Sequence, residues 1–214
     1  MLVTNNLSGS VSMVDMTTLT VVSTIALPPN SLPQGIAVTP DSAFAYVTNC
    51  DYIPNAVVNV IDLSKRAVVA TIGPLNSFPK RVKITPDGTQ AWVTCLFGNS
   101  VFIIDTLTNQ VVTHIFNIPG AWGIAFSPNG TRAYVAASTG LTGNIAVINT
   151  ATYQVLTMVP VGATPQDVVV SPSGRHVFTN NTGGNSISQI DTHTNTLIRN
   201  ITVGTQPGLP AFGK

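Results

Sequence analysis

The stretch Leu32–Asp41, which reads LPQGIAVTPD, decides the fold because the chain returns to it at a regular interval. FAYVTN at 44–49 and VNVID at 58–62 follow it. The closing dipeptide recurs at separations of 47, 43, 44 and 42 residues, as Val14-Asp15, Ile61-Asp62, Ile104-Asp105, Ile148-Asn149 and Ile190-Asp191. A turn signal keeps the same period, as Pro40-Asp41, Pro86-Asp87, Pro128-Asn129 and Pro172-Ser173. Two independent signals with one period indicate an internal repeat.

Each repeat is predicted to contain four short strands. In the third repeat these are Arg81–Thr85, Gln90–Thr94, Ser100–Ile104 and Gln110–Ile115, rich in β-branched residues and bounded by turn residues. Asp87-Gly88 predicts a tight hairpin between the first two strands. The Asp after each third strand is predicted to accept a backbone N–H two residues further on. Four strands in roughly 40 to 45 residues are typical of a β-propeller blade.

The residues Tyr46-Val47-Thr48-Asn49, with Pro40-Asp41 before them and Ile61-Asp62 after them, resemble the YVTN repeat. That repeat is known from propellers of bacterial and archaeal cell-surface proteins, and the resemblance covers essentially the whole chain. It implies an all-β propeller and favours an exported or cell-surface location. Its signature residues are turn and packing residues, so it specifies the fold and leaves the function open.

The repeats predict a five-bladed β-propeller of four-stranded antiparallel blades, forming one domain over residues 1–214. Four blades are expected at about 31–76, 77–118, 119–162 and 163–204, and the fifth combines about 205–214 with 1–30. The C-terminal strand, about 206–212, would pair into the N-terminal blade and close the ring, which hides edge strands. Pro210 shortens that strand, since proline cannot donate to a ladder. The alternative is a fragment of a larger propeller.

The composition limits which classes of partner are expected. Charged residues make up 8% of the chain and the net charge is +1, so no global field is expected to attract nucleic acid or an anionic membrane. No run of about eighteen apolar residues predicts a transmembrane segment. Met1 leads almost directly into a predicted strand, so no signal peptide is expected, which leaves a cytoplasmic location open beside the exported one. We expect a monomer.

The two cysteines, Cys50 and Cys95, are one residue apart in repeat register. Successive residues of a strand point to opposite faces. We therefore expect two free thiols, with one of them packed in the core.

Two blades carry longer loops than the others. By resemblance to propellers generally, the loop between the second and third strands shares a face with the loop that enters the next blade, and ligands usually bind there. Extra residues occur at Cys50–Ala56 and Ser138–Asn144. Insertions on one face of a repeat array often mark the binding side, although surface loops also tolerate drift.

The first strand of each blade is expected to start beside the central channel. Its opening positions are Gln34, Lys80, Trp122, Gln166 and Gly208, and the next positions are Gly35, Arg81, Gly123, Asp167 and Leu209. The third blade departs most from the pattern, because it also carries Lys83. The residues therefore predict a small anion-binding or mixed polar–aromatic pocket at the channel mouth. The alternative is that Arg81 and Lys83 form ion pairs or project into channel water.

The candidate ligand-binding set includes aromatic residues that map to the same loop face. The full set is Gln34, Tyr52, Phe78, Lys80, Arg81, Lys83, Phe97, Trp122, Gln166 and Asp167. The three histidines, His114, His176 and His193, do not converge in the repeat alignment, so we expect no metal site and no cofactor.

Three functions follow from this reading. The first is a non-catalytic module that binds a protein, a glycan or a small anion through the loop face. The second is a small-molecule enzyme, a lyase, hydrolase or cyclase, that uses Lys80, Arg81 and Asp167. Some propellers similar in outline are lyases with a histidine near the channel, where this chain has none. The third is a truncated or engineered propeller with no ligand.

Overall fold

The computed structural model describes residues 1–51, 56–208 and 210–212. All regular structure in these residues is β, and no helix is found among them. The described residues form 19 strands in five antiparallel sheets, of which the first has three strands and the others four. This confirms the all-β fold and sheets of the kind that make propeller blades.

The strands follow the repeat in chain order. Sheet 1 contains β1 (Leu2–Asn5), β2 (Ser10–Asp15) and β3 (Thr20–Ala26). Sheet 2 contains β4 (Pro33–Val38), β5 (Phe44–Asn49), β6 (Val57–Asp62) and β7 (Ala67–Ile72). Sheet 3 contains β8 (Pro79–Ile84), β9 (Gln90–Cys95), β10 (Ser100–Asp105) and β11 (Val111–Ile115). Sheet 4 contains β12 (Ile124–Phe126), β13 (Arg132–Ser138), β14 (Gly143–Asn149) and β15 (Val155–Val161). Sheet 5 contains β16 (Pro165–Val170), β17 (His176–Asn181), β18 (Ser186–Asp191) and β19 (Thr196–Thr202).

The chain divides into two compact units. The first comprises Met1–Gly98 and Phe102–His114, and the second comprises Asn99–Val101 and Ile115–Lys214. In the first unit, one apolar cluster joins sheets 1 and 2 through residues such as Val11 and Ile61, and another joins sheets 2 and 3. In the second unit, a third cluster joins sheets 4 and 5.

The C-terminal segment differs from the sequence-based expectation. The strand predicted at about 206–212 is absent from the described residues of that range, and sheet 1 contains only β1, β2 and β3. Ring closure through this segment is therefore not seen in the described part of the chain. The blade count of five stays a prediction.

The recurring aspartates make the turns that were predicted for them. Asp15 Oδ1 accepts the backbone N–H groups of Thr17 and Thr18 at 2.7 and 3.0 Å. Asp191 Oδ1 accepts those of His193 and Thr194 at 2.8 and 2.9 Å. These hydrogen bonds hold the pKa of each carboxyl below its ordinary value. The residues therefore serve the turn between the last two strands of their sheets.

Both cysteines are free thiols, and both are buried. The expectation that only one lies in the core is wrong, because Cys50 is packed as well as Cys95. Cys50 lies just beyond the end of β5, so the alternation of a strand does not fix its direction. Among the described residues, no helix is long and apolar enough to cross a membrane.

Candidate binding site at the first strands

The predicted site residues occupy the same place in sheets 2, 3 and 5. Gln34, Lys80 and Gln166 are each the second residue of a strand that opens its sheet, directly after a buried proline. Arg81 and Asp167 are the third residues of β8 and β16. The repeat alignment therefore found equivalent positions, although it began β8 at Arg81 and the strand begins at Pro79.

A β-bulge positions these residues. The pairing of β8 with β9 shifts between Pro79 and Arg81, so the N–H of Arg81 has no carbonyl directly opposite. Instead it donates to Thr94 Oγ1 at 3.1 Å. Such a bulge turns the following side chains out of the regular alternation.

The same arrangement occurs in sheets 2 and 5. The N–H of Gly35 donates to Thr48 Oγ1 at 2.8 Å, and that of Asp167 donates to Asn180 Oδ1 at 2.7 Å. A side chain of the second strand thus replaces the missing backbone acceptor each time. This satisfies a backbone donor that would otherwise be costly to bury.

In the first compact unit, neighbouring sheets bring their opening residues into contact. Lys80 Nζ donates to Gln34 Oε1 at 2.6 Å, and both side chains are partly buried. The approach is close because Gly35 lies against the backbone of β8. A Cβ atom on Gly35 would be 2.9 Å from the Lys80 carbonyl oxygen and 3.0 Å from Arg81 Cα.

The surroundings of this contact oppose the charged form of the lysine, mainly because they bury it. Burial is the main cause that lowers the pKa of Lys80, the nearby Cys50 thiol acts in the opposite direction, and Arg81 lowers the pKa further. Burial likewise raises the pKa of Cys50, against the effect of Lys80. The first unit therefore holds two adjacent cations, of which one is partly desolvated.

Aromatic residues lie near the start of β8. The Phe78 and Phe97 rings have centroids 4.7 Å apart and an interplanar angle of 57°. Phe97 is 57% exposed, in the loop between β9 and β10. Lys83 is exposed two residues beyond Arg81. Tyr52, the other aromatic candidate of this loop face, lies outside the described residues.

In the second compact unit, Gln166 lines a cavity of about 390 Å³. The other lining residues are Thr164, Thr182, Gly183, Gln206, Pro207 and Gly208. Asp167 lies beside it in β16 and packs against Gly123, where a Cβ atom would be 2.5 Å from Asp167 Cα. Trp122, directly before Gly123, is partly buried. Its backbone N–H donates to the Ala136 carbonyl at 3.0 Å.

The candidate residues thus form two groups, one in each compact unit. Gln34, Lys80 and Arg81 are brought together in the first, with Phe78 and Phe97 in the preceding and following loops. Trp122, Gln166 and Asp167 are assembled in the second. The single channel-mouth pocket that was predicted to include Lys80, Arg81 and Asp167 stays a prediction.

Sequence reasoning missed a second cavity, at the opposite ends of the strands. It has a volume of about 330 Å³ and is lined by Thr39, Pro40, Asp41, Phe44, Asp87, Gly88, Thr106 and Leu107. Asp41 and Asp87 were read as turn residues, and their hydrogen bonds to Thr39 and Thr85 agree with that role. Within the described residues, no group of three or more His, Cys, Asp or Glu side chains is arranged to hold a metal ion.

Comparisons with known proteins support the β-propeller fold that the repeated sheets indicate. No family profile matches the chain. An uncharacterized protein of Bacillus subtilis, YwhL, is 33% identical over 186 residues, which cover 86% of this chain and 36% of that protein. The seven-bladed beta-propeller protein Rv1057 of Mycobacterium tuberculosis is 29% identical over 113 residues, or 51% of this chain and 29% of that protein. The chain therefore spans about a third of the length of these relatives.

Two solved structures share the fold. A hydrazine synthase of Kuenenia stuttgartiensis superposes with a TM-score of 0.80 and 25% identity, over 89% of this chain and 59% of that one. A protein of unknown function from Desulfotomaculum acetoxidans superposes with a TM-score of 0.83 and 24% identity, over 97% of this chain and 67% of that one. Together with the repeated antiparallel sheets, these similarities define a β-propeller fold.

Proposed function

We propose that the chain is a binding module whose ligand carries an anionic group held by Lys80 and Arg81. The observation that carries the proposal is the contact of Lys80 Nζ with Gln34 Oε1, which places an ammonium group and an amide at the opening of neighbouring sheets. Two adjacent cations, one of them partly desolvated, repel each other, and a bound anion offsets that repulsion. Phe97 supplies an exposed apolar surface nearby.

The ligand class follows from these groups. Arginine binds carboxylate, sulfate and phosphate through two parallel hydrogen bonds, and lysine adds a point charge. The exposed aromatic ring suits the apolar face of a sugar or a side chain. An acidic glycan or an acidic peptide therefore fits this site better than a neutral ligand.

A calorimetric titration with sulfate, and then with a glycan that carries carboxylates, tests the proposal. Arg81→Gln and Lys80→Gln are expected to weaken binding at least tenfold. Arg175→Gln changes an exposed arginine of the turn between β16 and β17 and serves as the matched control. Equal affinities for the wild type and for Arg81→Gln would reject the site.

The alternative is a small-molecule enzyme that acts at the same residues. It is supported by the lowered pKa of Lys80, since a lysine that loses its proton more easily is a better base or nucleophile. Turnover that disappears in Lys80→Gln and persists in Arg175→Gln would favour this alternative.

For the architecture, we propose five blades in one domain, with residues 206–212 acting as the first strand that sheet 1 lacks. The backbone at the start of this segment supports the role. Gln206 has φ of +50° directly before Pro207, as Phe78 has +61° before Pro79 and Thr164 has +54° before Pro165. The positive φ that precedes the first proline of β8 and β16 thus also precedes Pro207.

A hydrogen bond supports the same role. Asn180 Nδ2 donates to the Pro207 carbonyl at 2.9 Å. Its repeat equivalent in sheet 1, Thr4, donates through Oγ1 to the Gln34 carbonyl at 3.1 Å, one residue beyond Pro33, which is the equivalent of Pro207. Residue 207 and its neighbours therefore meet sheet 5 as the first strand of a following sheet would.

Cross-linking tests the strand role. Pro33 pairs with Asn49, and Pro165 pairs with Asn181, so Pro207 is expected opposite Asn5. The double variant Asn5→Cys, Pro207→Cys should form a disulfide under mild oxidation, within one chain or between chains. Complete recovery of both introduced thiols would reject the role.

From its resemblance to cell-surface propellers, we also propose an exported location, which fractionation of the source cells would test.

A further inference from the structure

The second cavity of the first compact unit lies among the turns of sheets 2 and 3, at the strand ends opposite the proposed anion site. Its volume is about 330 Å³, and its apolar surface comes from Pro40, Phe44 and Leu107. Phe44 packs against the core, whereas Leu107 is 91% exposed. The described lining contains two carboxylates, Asp41 and Asp87, and no lysine, arginine or histidine.

Each of the two carboxylates keeps one oxygen available. The hydrogen bonds that other described residues donate to Asp41 and Asp87 all reach Oδ1, from threonine hydroxyls at 2.6 Å and from backbone N–H groups at 3.0 Å. The hydroxyls of Thr39 and Thr85 are the main cause that lowers the pKa of these carboxyls, so both are ionised at neutral pH. In the described part of the chain, neither is paired with a cation. Their Oδ2 atoms can therefore accept hydrogen bonds from a ligand.

The walls of the cavity are held in place by contacts between the turns. A Cβ atom on Gly88 would be 3.2 Å from Pro40 Cδ, so the first turns of sheets 2 and 3 touch. Thr106 Oγ1 donates to the Gly88 carbonyl at 2.6 Å, and the Thr106 N–H donates to the Thr89 carbonyl at 3.0 Å. The cavity is therefore formed before a ligand binds, which lowers the entropic cost of binding.

The second compact unit repeats these turns with a different surface chemistry. A Cβ atom on Gly174 would be 3.3 Å from Pro128 Cδ, and Thr192 Oγ1 donates to the Gly174 carbonyl at 2.7 Å. In repeat register, the residues that correspond to Asp41, Phe44, Asp87 and Leu107 are Asn129, Arg132, Ser173 and His193. The same backbone arrangement therefore folds there without either carboxylate and without the two apolar side chains.

The carboxylates of the first unit thus exceed what the turns require. Asn129 Oδ1 accepts the Ser127 hydroxyl at 2.7 Å and the Thr131 N–H at 3.2 Å, which are the contacts that Asp41 Oδ1 makes in its own turn. A neutral amide therefore serves the turn as well as a carboxylate does. Two ionised groups without a cationic partner, beside an exposed leucine, indicate a ligand that is both cationic and apolar.

We propose that this cavity binds an extended peptide segment of a partner protein, in which a lysine or arginine stands beside an apolar residue. The cationic head binds the Oδ2 atoms of Asp41 and Asp87, and its aliphatic stem lies along Phe44. Charge complementarity selects this occupant, because the described lining carries two negative groups and no positive one. A peptide also continues beyond the cationic head, so its apolar side chain can cover Leu107.

Fluorescence anisotropy tests the proposal with a short, labelled and terminally blocked peptide that carries one lysine between two leucines in a glycine–serine sequence. The wild type should bind this peptide, and the double variant Asp41→Asn, Asp87→Ser should bind it roughly tenfold more weakly, or less. These substitutions introduce the residues that the second unit uses in the same turns, so the variant should fold, as urea denaturation can check. Asp15→Asn removes a turn carboxylate of sheet 1 and is the control for net charge.

Two further comparisons separate the charge from the apolar surface. A peptide with acetyl-lysine in place of lysine keeps the aliphatic stem and loses the charge, so its affinity should fall to that of the double variant. Phe44→Arg introduces the cation that Arg132 supplies in the second unit and should abolish binding of the lysine peptide.

Equal affinities of the wild type and the double variant would overturn the proposal, as would equal affinities for the lysine and acetyl-lysine peptides. A wild type that does not bind the lysine peptide, but binds calcium ions in calorimetry through Asp41 and Asp87, would overturn it in favour of a metal site. The anion site is tested by other residues and another ligand, so either proposal can fail without the other.

Discussion

Gly35 lies so close to Lys80 that its missing side chain sets the distance between sheets 2 and 3. We expect Gly35→Ala to destabilise the protein by about 1–3 kcal/mol, because the new Cβ atom would overlap the backbone of β8. Urea denaturation measures the change. Gly208→Ala is the control, since a Cβ atom there meets nothing within 4 Å. Equal losses in both variants would refute the packing argument.

Thr94→Val should also lower stability, by about 1–3 kcal/mol, although the two side chains have nearly the same shape. The substitution removes the hydroxyl that accepts the N–H of Arg81 and leaves that donor without its acceptor. Thr94→Ser keeps the hydroxyl and should recover most of the loss. If valine and serine behave alike in urea denaturation, the bulge does not depend on this side chain.

Tyr46→Phe tests a contact between sheets 2 and 3. The Tyr46 hydroxyl donates to Asn109 Oδ1 at 2.7 Å, and burial raises the pKa of this phenol to about 12. Loss of one such bond should cost about 0.5–1.5 kcal/mol of unfolding free energy. Burial raises the pKa of Tyr134 as well, so a spectrophotometric titration of the wild type should show at least two tyrosines that ionise above pH 10, and the variant should show one fewer. Equal numbers of such tyrosines in the two proteins would contradict the buried Tyr46 hydroxyl.

Acid should weaken the fold through the turn aspartates. Hydrogen bonds from Ser64 and the Lys65 N–H hold the pKa of Asp62 well below its ordinary value of 3.8. A carboxyl with a lowered pKa stabilises the folded state above its unfolded pKa, and this stabilisation is lost as the pH falls through the folded value. Urea midpoints should therefore drop steadily below about pH 4. Asp62→Asn, which keeps an acceptor oxygen, should show a smaller drop than the wild type.

Anion binding should depend on alkaline pH through Lys80. Because its pKa is lowered from 10.5, this lysine gives up its charge before an exposed lysine does. The same group weakens the fold while it is charged, and that effect disappears as the pH rises toward the ordinary pKa. As the pH is raised, sulfate affinity should therefore begin to decline before the pH reaches 10.5. An affinity that stays constant up to that pH, or a decline that persists in Lys80→Gln, would contradict the assigned role.

The repeat could be predicted from the sequence because turn residues recur with one period. Asp15 and Asp191 carry the same Asx turn, and local chemistry of that kind is readable from a few adjacent residues. The equivalence of Gln34 and Lys80 was also predictable, since a repeat places equivalent residues at equivalent positions of successive sheets.

The remaining features depend on packing that no single repeat reveals. The start of β8 at Pro79 requires the bulge that Thr94 completes across the sheet. The burial of Cys50 depends on a loop, where strand alternation gives no guidance. Whether residues 206–212 form a strand depends on the surface that they contact. Their sequence is compatible with a strand in either case, so it does not decide between the two outcomes.

Gly162 of sheet 4 fits against Asn181 of sheet 5, which donates to Ser186 and Ser188. This contact has a consequence for how such chains evolve. Gly162 and Asn181 form the contact between sheets 4 and 5, and Gly204 repeats the first half of it. A duplicated copy of sheet 5 inserted after Gly204 would bring equivalents of Asn181 and the two serines with it and would end in the same glycine. Genes that encode this repeat can therefore gain or lose whole sheets by recombination without inventing a new contact.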